Sequence, residues 1–250
     1  MQDFPLQASA FLILFARAGA VLMVLPFFSE ESVPGRIRLL FAFGLSLGLW
    51  GLLSPAVLPA ASDADALAGI LVIEIGLGLA LGMIVRLMFQ AAVMAASIAS
   101  LQMGLSTAVI FDPALGGQTP LLAKLVVLAA TLVCLAFGLH HLWIGAIIHS
   151  YELFPVGAVP NAGDFATLAI TTIGKSMSLA VSLAAPMLVY GIVFNVALGF
   201  SARLAPTIQV FFIAQPLNIL LGMALFAVVL GAMLTAFAMA MGDWMQSGWS

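Results

Sequence analysis

The sequence predicts an all-α membrane protein, a single unit over residues 1–250 with about six long apolar helices and a central loop that interrupts them. Three observations carry that expectation. Of 250 residues, 64% are apolar and 7% charged, whereas soluble domains carry about 25% charged residues. Six apolar runs alternate with connections rich in proline, glycine and aspartate, and the length suits about six spans of roughly 20 residues. Small residues are dense in every run, which lets helices approach closely where lipid supplies no hydrophobic drive.

The runs follow in order. Leu6 to Phe28 comes first, ending at Pro26 and Ser29-Glu30-Glu31-Ser32, with Arg17 near its centre. It is expected to be a retained span rather than a cleaved signal, since Asp3 replaces a basic leader and Arg17 interrupts the apolar region. A turn through Val33-Pro34-Gly35 leads to Arg36 and Arg38, then to the second run, Leu39 to Leu53, where Gly44 and Gly48 have GxxxG spacing. A loop with proline and aspartate, Ser54 to Ala66, follows. The third run, Leu67 to Gln90, carries Glu74, a second GxxxG at Gly78 and Gly82, and Arg86.

Between the third and fourth runs lies the stretch Ser97 to Pro120. It opens as a small-residue helix (Ala91, Ala92, Ala95, Ala96, Ala99), breaks at Gly104, turns at Asp112-Pro113 and loosens through Gly116, Gly117 and Pro120. Glycine supplies backbone freedom and proline removes a donor, so helix cannot continue there. Non-helical backbone at membrane depth is tolerated only where protein buries it or where it lines a water-filled cavity. This loop is therefore the candidate gate.

The fourth run, Leu121 to His149, is entered at Lys124 and contains the lone Cys134, read as a small buried apolar side chain. A loop from Ser150 to Asp164 precedes the fifth run, Phe165 to Phe200, which has Lys175 inside and Pro186 as a kink. After Arg203-Leu204-Ala205-Pro206 the sixth run, Phe211 to Met241, is broken early by Pro216. If six spans alternate, Arg36, Arg38, Arg86, Lys124 and Arg203 fall on one side. Asp3, Asp63, Asp65, Glu152, Asp164 and Asp243 fall on the other, which puts both termini outside the cytoplasm.

Catalytic chemistry finds little support. His141 and His149 on one helix would differ by about 80° and about 12 Å of rise, too far to share a metal. No HExxH and no CxxC occurs, so neither a metal site nor a cofactor is expected. Gly116-Gly117 is not followed by a phosphate-binding lysine, which excludes an ATPase. Intramembrane charges are functional hypotheses by default, and Arg17, Glu74, Arg86, Lys124 and Lys175 qualify. Glu74 and Arg86 are twelve residues apart, roughly 18 Å along a helix, and cannot pair within it.

The ordered motifs resemble the FliR family of the flagellar type III export apparatus and its virulence-secretion relatives. They run from Pro26 to about Leu230: Ser32-Val33-Pro34 with Arg36 and Arg38; Glu74, Gly78, Gly82 and Arg86; Gln102-Met103-Gly104-Leu105-Ser106 with Asp112-Pro113. Then come His140 or His141 before Trp143, Ser150, Pro155-Val156-Gly157, Lys175, Ala185-Pro186, Asn195, Arg203-Leu204-Ala205-Pro206, Phe211-Phe212 and Pro216-Leu217. The resemblance implies helical hairpins, as of a FliP-like unit joined to a FliQ-like unit in one chain. It implies assembly with FliP-like and FliQ-like subunits and contact with an FlhB-like switch protein. The setting would be the bacterial inner membrane at the flagellar basal body, and unfolded flagellar proteins would pass through.

The family's plug maps onto about 104–118. The expected plug residues are Met103, Gly104, Leu105, Val109, Ile110, Phe111, Asp112, Pro113, Gly116 and Gly117, with the glycines at 104, 116 and 117 as hinges. Arg17, Glu74, Arg86, Lys124, Lys175 and Arg203 are expected to make subunit contacts. An autonomous ion-coupled transporter, with Glu74 titrating, remains the alternative, and a structural scaffold a third reading.

Overall fold

The computed structural model describes residues 3–29, 33–105, 121–204 and 210–247. All regular structure among them is α-helical: α1 (Asp3–Val24), α2 (Pro26–Ser29), α3 (Gly35–Ala61), α4 (Leu67–Gln102), α5 (Leu121–Ala136), α6 (Leu139–Leu153), α7 (Ala162–Leu204) and α8 (Val210–Gln246). Five of these are long and apolar enough to cross a membrane, or six spans if α5 and α6 count as one bent span. The protein is thus an all-α, multi-pass membrane protein.

Several boundaries differ from the sequence expectation, each for a local reason. The second run does not end at Leu53. Helix α3 continues through Pro55 and Pro59 to Ala61. The two prolines are four residues apart and both exposed, so the missing backbone hydrogen bonds fall on one outer face. The opposite face buries Ala42, Ser46, Leu49, Leu53, Val57 and Ala61, a 3–4 residue spacing that keeps the helix packed. Pro216 likewise lies inside α8 and Pro186 inside α7. The fourth run is two helices, not one. Gly138 takes φ +75 between α5 and α6, a left-handed conformation that ends the first and starts the second.

The chain packs as two compact units. The first comprises residues 1–88, 138–173 and 245–250, and the second residues 89–137 and 174–244. In the first unit α1 lies along α3, with an aromatic seam in which Phe11 meets Phe43 edge-on at 5.2 Å and Trp50 at 6.0 Å. Such edge-to-face pairs add to simple burial. Helix α4 approaches α1 through Gly78 and Gly82. A Cβ at Gly78 would lie 2.5 Å from the Arg17 carbonyl oxygen, and one at Gly82 would lie 2.9 Å from that of Val21. The expected close helix contact is therefore real at this GxxxG. It is not made at Gly44 and Gly48, which have nothing within 4 Å among the described residues.

In the second unit the small residues Ala91, Ala92, Ala95, Ala96 and Ala99 of α4 are buried. Also buried in this unit are Ala123, Val126, Ala130 and Cys134 of α5, Ala180 and Met187 of α7, and Phe237 and Met241 of α8. Phe89 and Phe237 meet edge-on at 5.2 Å.

Candidate functional site

In the first unit the dominant polar feature is a buried ion pair. Arg17 on α1 and Glu74 on α4 are both wholly inaccessible to solvent. The guanidinium addresses the carboxylate with two donors: Nε to Oε2, and Nη2 to Oε1 at 2.9 Å. This fork geometry is the strongest arrangement open to an arginine and a carboxylate. The remaining donors are also used. Nη1 donates to the Ser150 carbonyl at 3.0 Å, and Nη2 to the Phe154 carbonyl at 3.0 Å. The guanidinium carbon stands 3.9 Å above the Tyr151 ring, a cation–π contact.

Glu74 receives one more donor, the Gly157 N–H at 3.1 Å. That amide is aimed by a turn closed from Ala158 N to the Pro155 carbonyl at 3.0 Å. Its third residue, Gly157, has φ +76, which such a turn requires. The cluster therefore ties α1, α4, the end of α6 and the following turn. Arg17 and Glu74, two of the charges expected to make subunit contacts, satisfy each other within the chain. Of the other four, Arg86, Lys124, Lys175 and Arg203 are exposed.

In the second unit the end of α4 is built with equal completeness. Leu105 N donates to the Ser100 carbonyl at 3.1 Å and Gly104 N to the Leu101 carbonyl at 3.0 Å, with Gly104 at φ +76. This is the Schellman termination of a helix. Met103 is fully buried. Of the expected plug, Met103, Gly104 and Leu105 thus sit at a defined helix end. Val109, Ile110, Phe111, Asp112, Pro113, Gly116 and Gly117 lie outside the described residues.

Two residues that sequence reasoning missed contact this end. Asn218 of α8 donates from Nδ2 to the Gln102 carbonyl at 3.2 Å. The Tyr190 hydroxyl of α7 lies 2.7 Å from Asn218 Oδ1 and 2.9 Å from its carbonyl. An amide inside an apolar run was the available signal. Three close approaches surround it. A Cβ at Gly191 would strike the Gln102 carboxamide, one at Gly222 would lie 2.5 Å from Met103 Cγ, and one at Gly104 would lie 2.5 Å from Gln215 Nε2.

Other chemistry is accounted for. Gly44-Leu45-Ser46-Leu47-Gly48 spells a nucleophile-elbow pattern, but it lies within α3, not at a strand-to-helix turn. Ser46 is buried and donates to the Ala42 carbonyl at 2.8 Å. Gly174-Lys175-Ser176 resembles the end of a phosphate-binding loop, yet it lies inside α7, where the backbone N–H groups are engaged. His149 pairs with Glu152 at 2.7 Å on the surface, because α6 continues to Leu153 rather than yielding to the loop at Ser150. No group of three metal-ligating side chains occurs among the described residues. A cavity of about 530 Å³ in the first unit is lined mainly by apolar side chains, among them Leu81, Leu142, Leu153, Phe165 and Met245.

Comparison with known proteins adds the biological setting. Residues 8–244 match the family described as bacterial export proteins, family 1. The sequence is 38% identical over 218 residues to the flagellar biosynthetic protein FliR of Caulobacter vibrioides, covering 87% of each chain. It is 34% identical to the protein of the same name from Escherichia coli, covering 86% of this chain and 81% of that one. The corresponding Bacillus subtilis protein is 32% identical, with 84% and 82% covered.

Proposed function

The chain belongs to the bacterial export proteins of family 1, the FliR flagellar export family, and from that premise we propose that it is a non-enzymatic subunit of the flagellar protein-conducting gate. Membership makes it a subunit of the flagellar export apparatus. The finer reading is that residues 1–250 act as one domain. It assembles in the bacterial inner membrane with FliP-like and FliQ-like subunits, contacts an FlhB-like switch protein and passes unfolded flagellar proteins. Both termini lie on the periplasmic side. Residues of about 104–118 close the pore, with apolar side chains at Leu105, Val109, Ile110 and Phe111 excluding water, as hydrophobic constrictions do.

The observation that carries this reading is the construction at the end of α4. A 36-residue apolar helix is stopped in the protein interior at Met103–Gly104, and the chain is handed on to a stretch whose sequence is glycine- and proline-rich. Terminating a helix in the interior of a membrane bundle needs every end carbonyl satisfied, and this end is built for it. The exposed cations Arg86, Lys124, Lys175 and Arg203 supply contacts to neighbouring subunits or line the cytoplasmic entrance.

The alternative of an autonomous ion-coupled transporter is weakened by the fate of Glu74. Its carboxylate is wholly buried and held by Arg17 and by the Gly157 amide, so it does not face an open path for a passing ion. The test is ion leakage across the membrane of cells expressing the complete gate with residues 106–117 deleted. Leakage above that of the intact gate, at equal assembly, is the expected result. A tight, assembled complex would move the seal to other subunits and leave this chain a scaffold.

A further inference from the structure

The helix-end carbonyls of α4 can be accounted for one by one. The Ala99 carbonyl accepts from Met103 N at 3.0 Å, and those of Ser100 and Leu101 are taken by Leu105 and Gly104. The left-handed turn at Gly104 leaves the Gln102 carbonyl without a helical N–H among the described residues. It is satisfied from another helix, by Asn218 Nδ2. Asn218 can do this in only one orientation. The Gln102 carbonyl only accepts, so it takes the N–H end of the amide, and the Tyr190 hydroxyl, 2.7 Å from Oδ1, holds the other end in place. Helices α4, α7 and α8 are therefore joined at one residue.

Packing fixes the same point independently. Gly191 and Gly222 are notches that admit the Gln102 and Met103 side chains. A Cβ at Gly222 would meet Met103 Cβ at 3.1 Å and its Cα at 3.3 Å. The backbone of α4 itself would have to move to accept one. Polar capping, a left-handed terminator and two glycine notches thus converge on residues 102–104.

We propose that Asn218, oriented by Tyr190, is a positioning residue that anchors the end of α4, so that Gly104 is a fixed terminator and not a hinge. This rests on the gate reading and deepens it: the anchor sets where the chain departs toward residues 106–117.

The test uses the full gate in a Cys134→Ala background carrying Leu105→Cys. Modification of that thiol by a membrane-permeant maleimide is read alongside ion leakage. Asn218→Ala removes the side-chain donor from the part-buried Gln102 carbonyl and is expected to speed modification by about tenfold and to raise leakage. Tyr190→Phe keeps the ring, removes only the orienting hydroxyl, and is expected to move both readouts the same way by a smaller factor. It decides the matter if Asn218→Ala does not assemble.

Three outcomes are informative. Both readouts moving at equal assembly supports the anchor. If the 106–117 deletion leaks while the Asn218 and Tyr190 variants stay tight and their thiol rates are unchanged, the anchor is overturned and the gate reading stands. If the deletion itself does not leak, the gate reading falls, and the thiol rate alone then decides whether Asn218 holds the end of α4.

Discussion

Replacing Arg17 by methionine keeps most of the side-chain volume and removes the charge, both Glu74 hydrogen bonds and the donors to Ser150 and Phe154. Glu74 then remains fully buried, with the Gly157 N–H still donating to its carboxylate. Removing one member of a buried pair costs about 3–5 kcal/mol, because the other charge is left uncompensated. A value of about 4 kcal/mol corresponds to roughly 10 °C in midpoint for a chain of this size. Glu74→Leu strands the guanidinium instead and should cost a similar amount.

The informative variant is the double substitution. With both charges gone, no buried ion remains. The residual defect is the Phe154 carbonyl and the Gly157 amide, since the Ser150 carbonyl still accepts from Phe154 N at 2.9 Å. Both groups are only part-buried, so each costs about 1 kcal/mol, the low end for an unsatisfied polar group. The double variant should therefore lie about 2 kcal/mol below the parent, not at the sum of about 8 kcal/mol from two single losses. The assay is thermal unfolding of the detergent-purified chain with the components that co-purify with it, monitored by size exclusion. Additive single effects would refute the pairing argument, and so would a parent-like Arg17→Met.

Four further perturbations have defined outcomes. Gly78→Ala should destabilise by about 2 kcal/mol or more, because its Cβ meets backbone rather than a yielding side chain. Gly48→Ala, with nothing within 4 Å, should be neutral or slightly stabilising within the chain, read by the same unfolding assay. Gly138→Ala must hold an L-residue at φ +75 and should lose about 1 kcal/mol. Ser46→Ala removes a hydroxyl that bonds only its own helix. It should leave stability within about 0.5 kcal/mol and flagellar export, scored as swimming, unchanged. A loss of export there would reopen the nucleophile-elbow pattern.

How far the sequence could be read depended on the kind of interaction. Fold class and span number were legible because composition and apolar run length act directly on the choice between water and lipid. The break at Gly104 was legible too, since a glycine closing an alanine-rich helix has a local cause. Helix boundaries at Pro55, Pro59 and Pro216 were not. A proline removes one hydrogen bond, and burial along the opposite face outweighs it, which no local reading registers.

The two GxxxG spacings are identical in sequence, yet among the described residues only Gly78 and Gly82 meet another helix inside the chain. Motif spacing specifies an available groove and not its occupant. Pairing was equally out of reach. Glu74 was matched against Arg86 on its own helix and found too distant, while its partner Arg17 stands fifty-seven positions away on a helix that packs beside it. The same holds for Asn218 and the Gln102 carbonyl, whose meeting depends on α4 and α8 being neighbours in the second unit. By itself the sequence determined an all-α membrane protein with an interrupted centre. Which buried charges and amides satisfy one another was decided only by tertiary structure, because a charge or amide in an apolar run shows that it needs a partner, while helix packing sets which partner it meets.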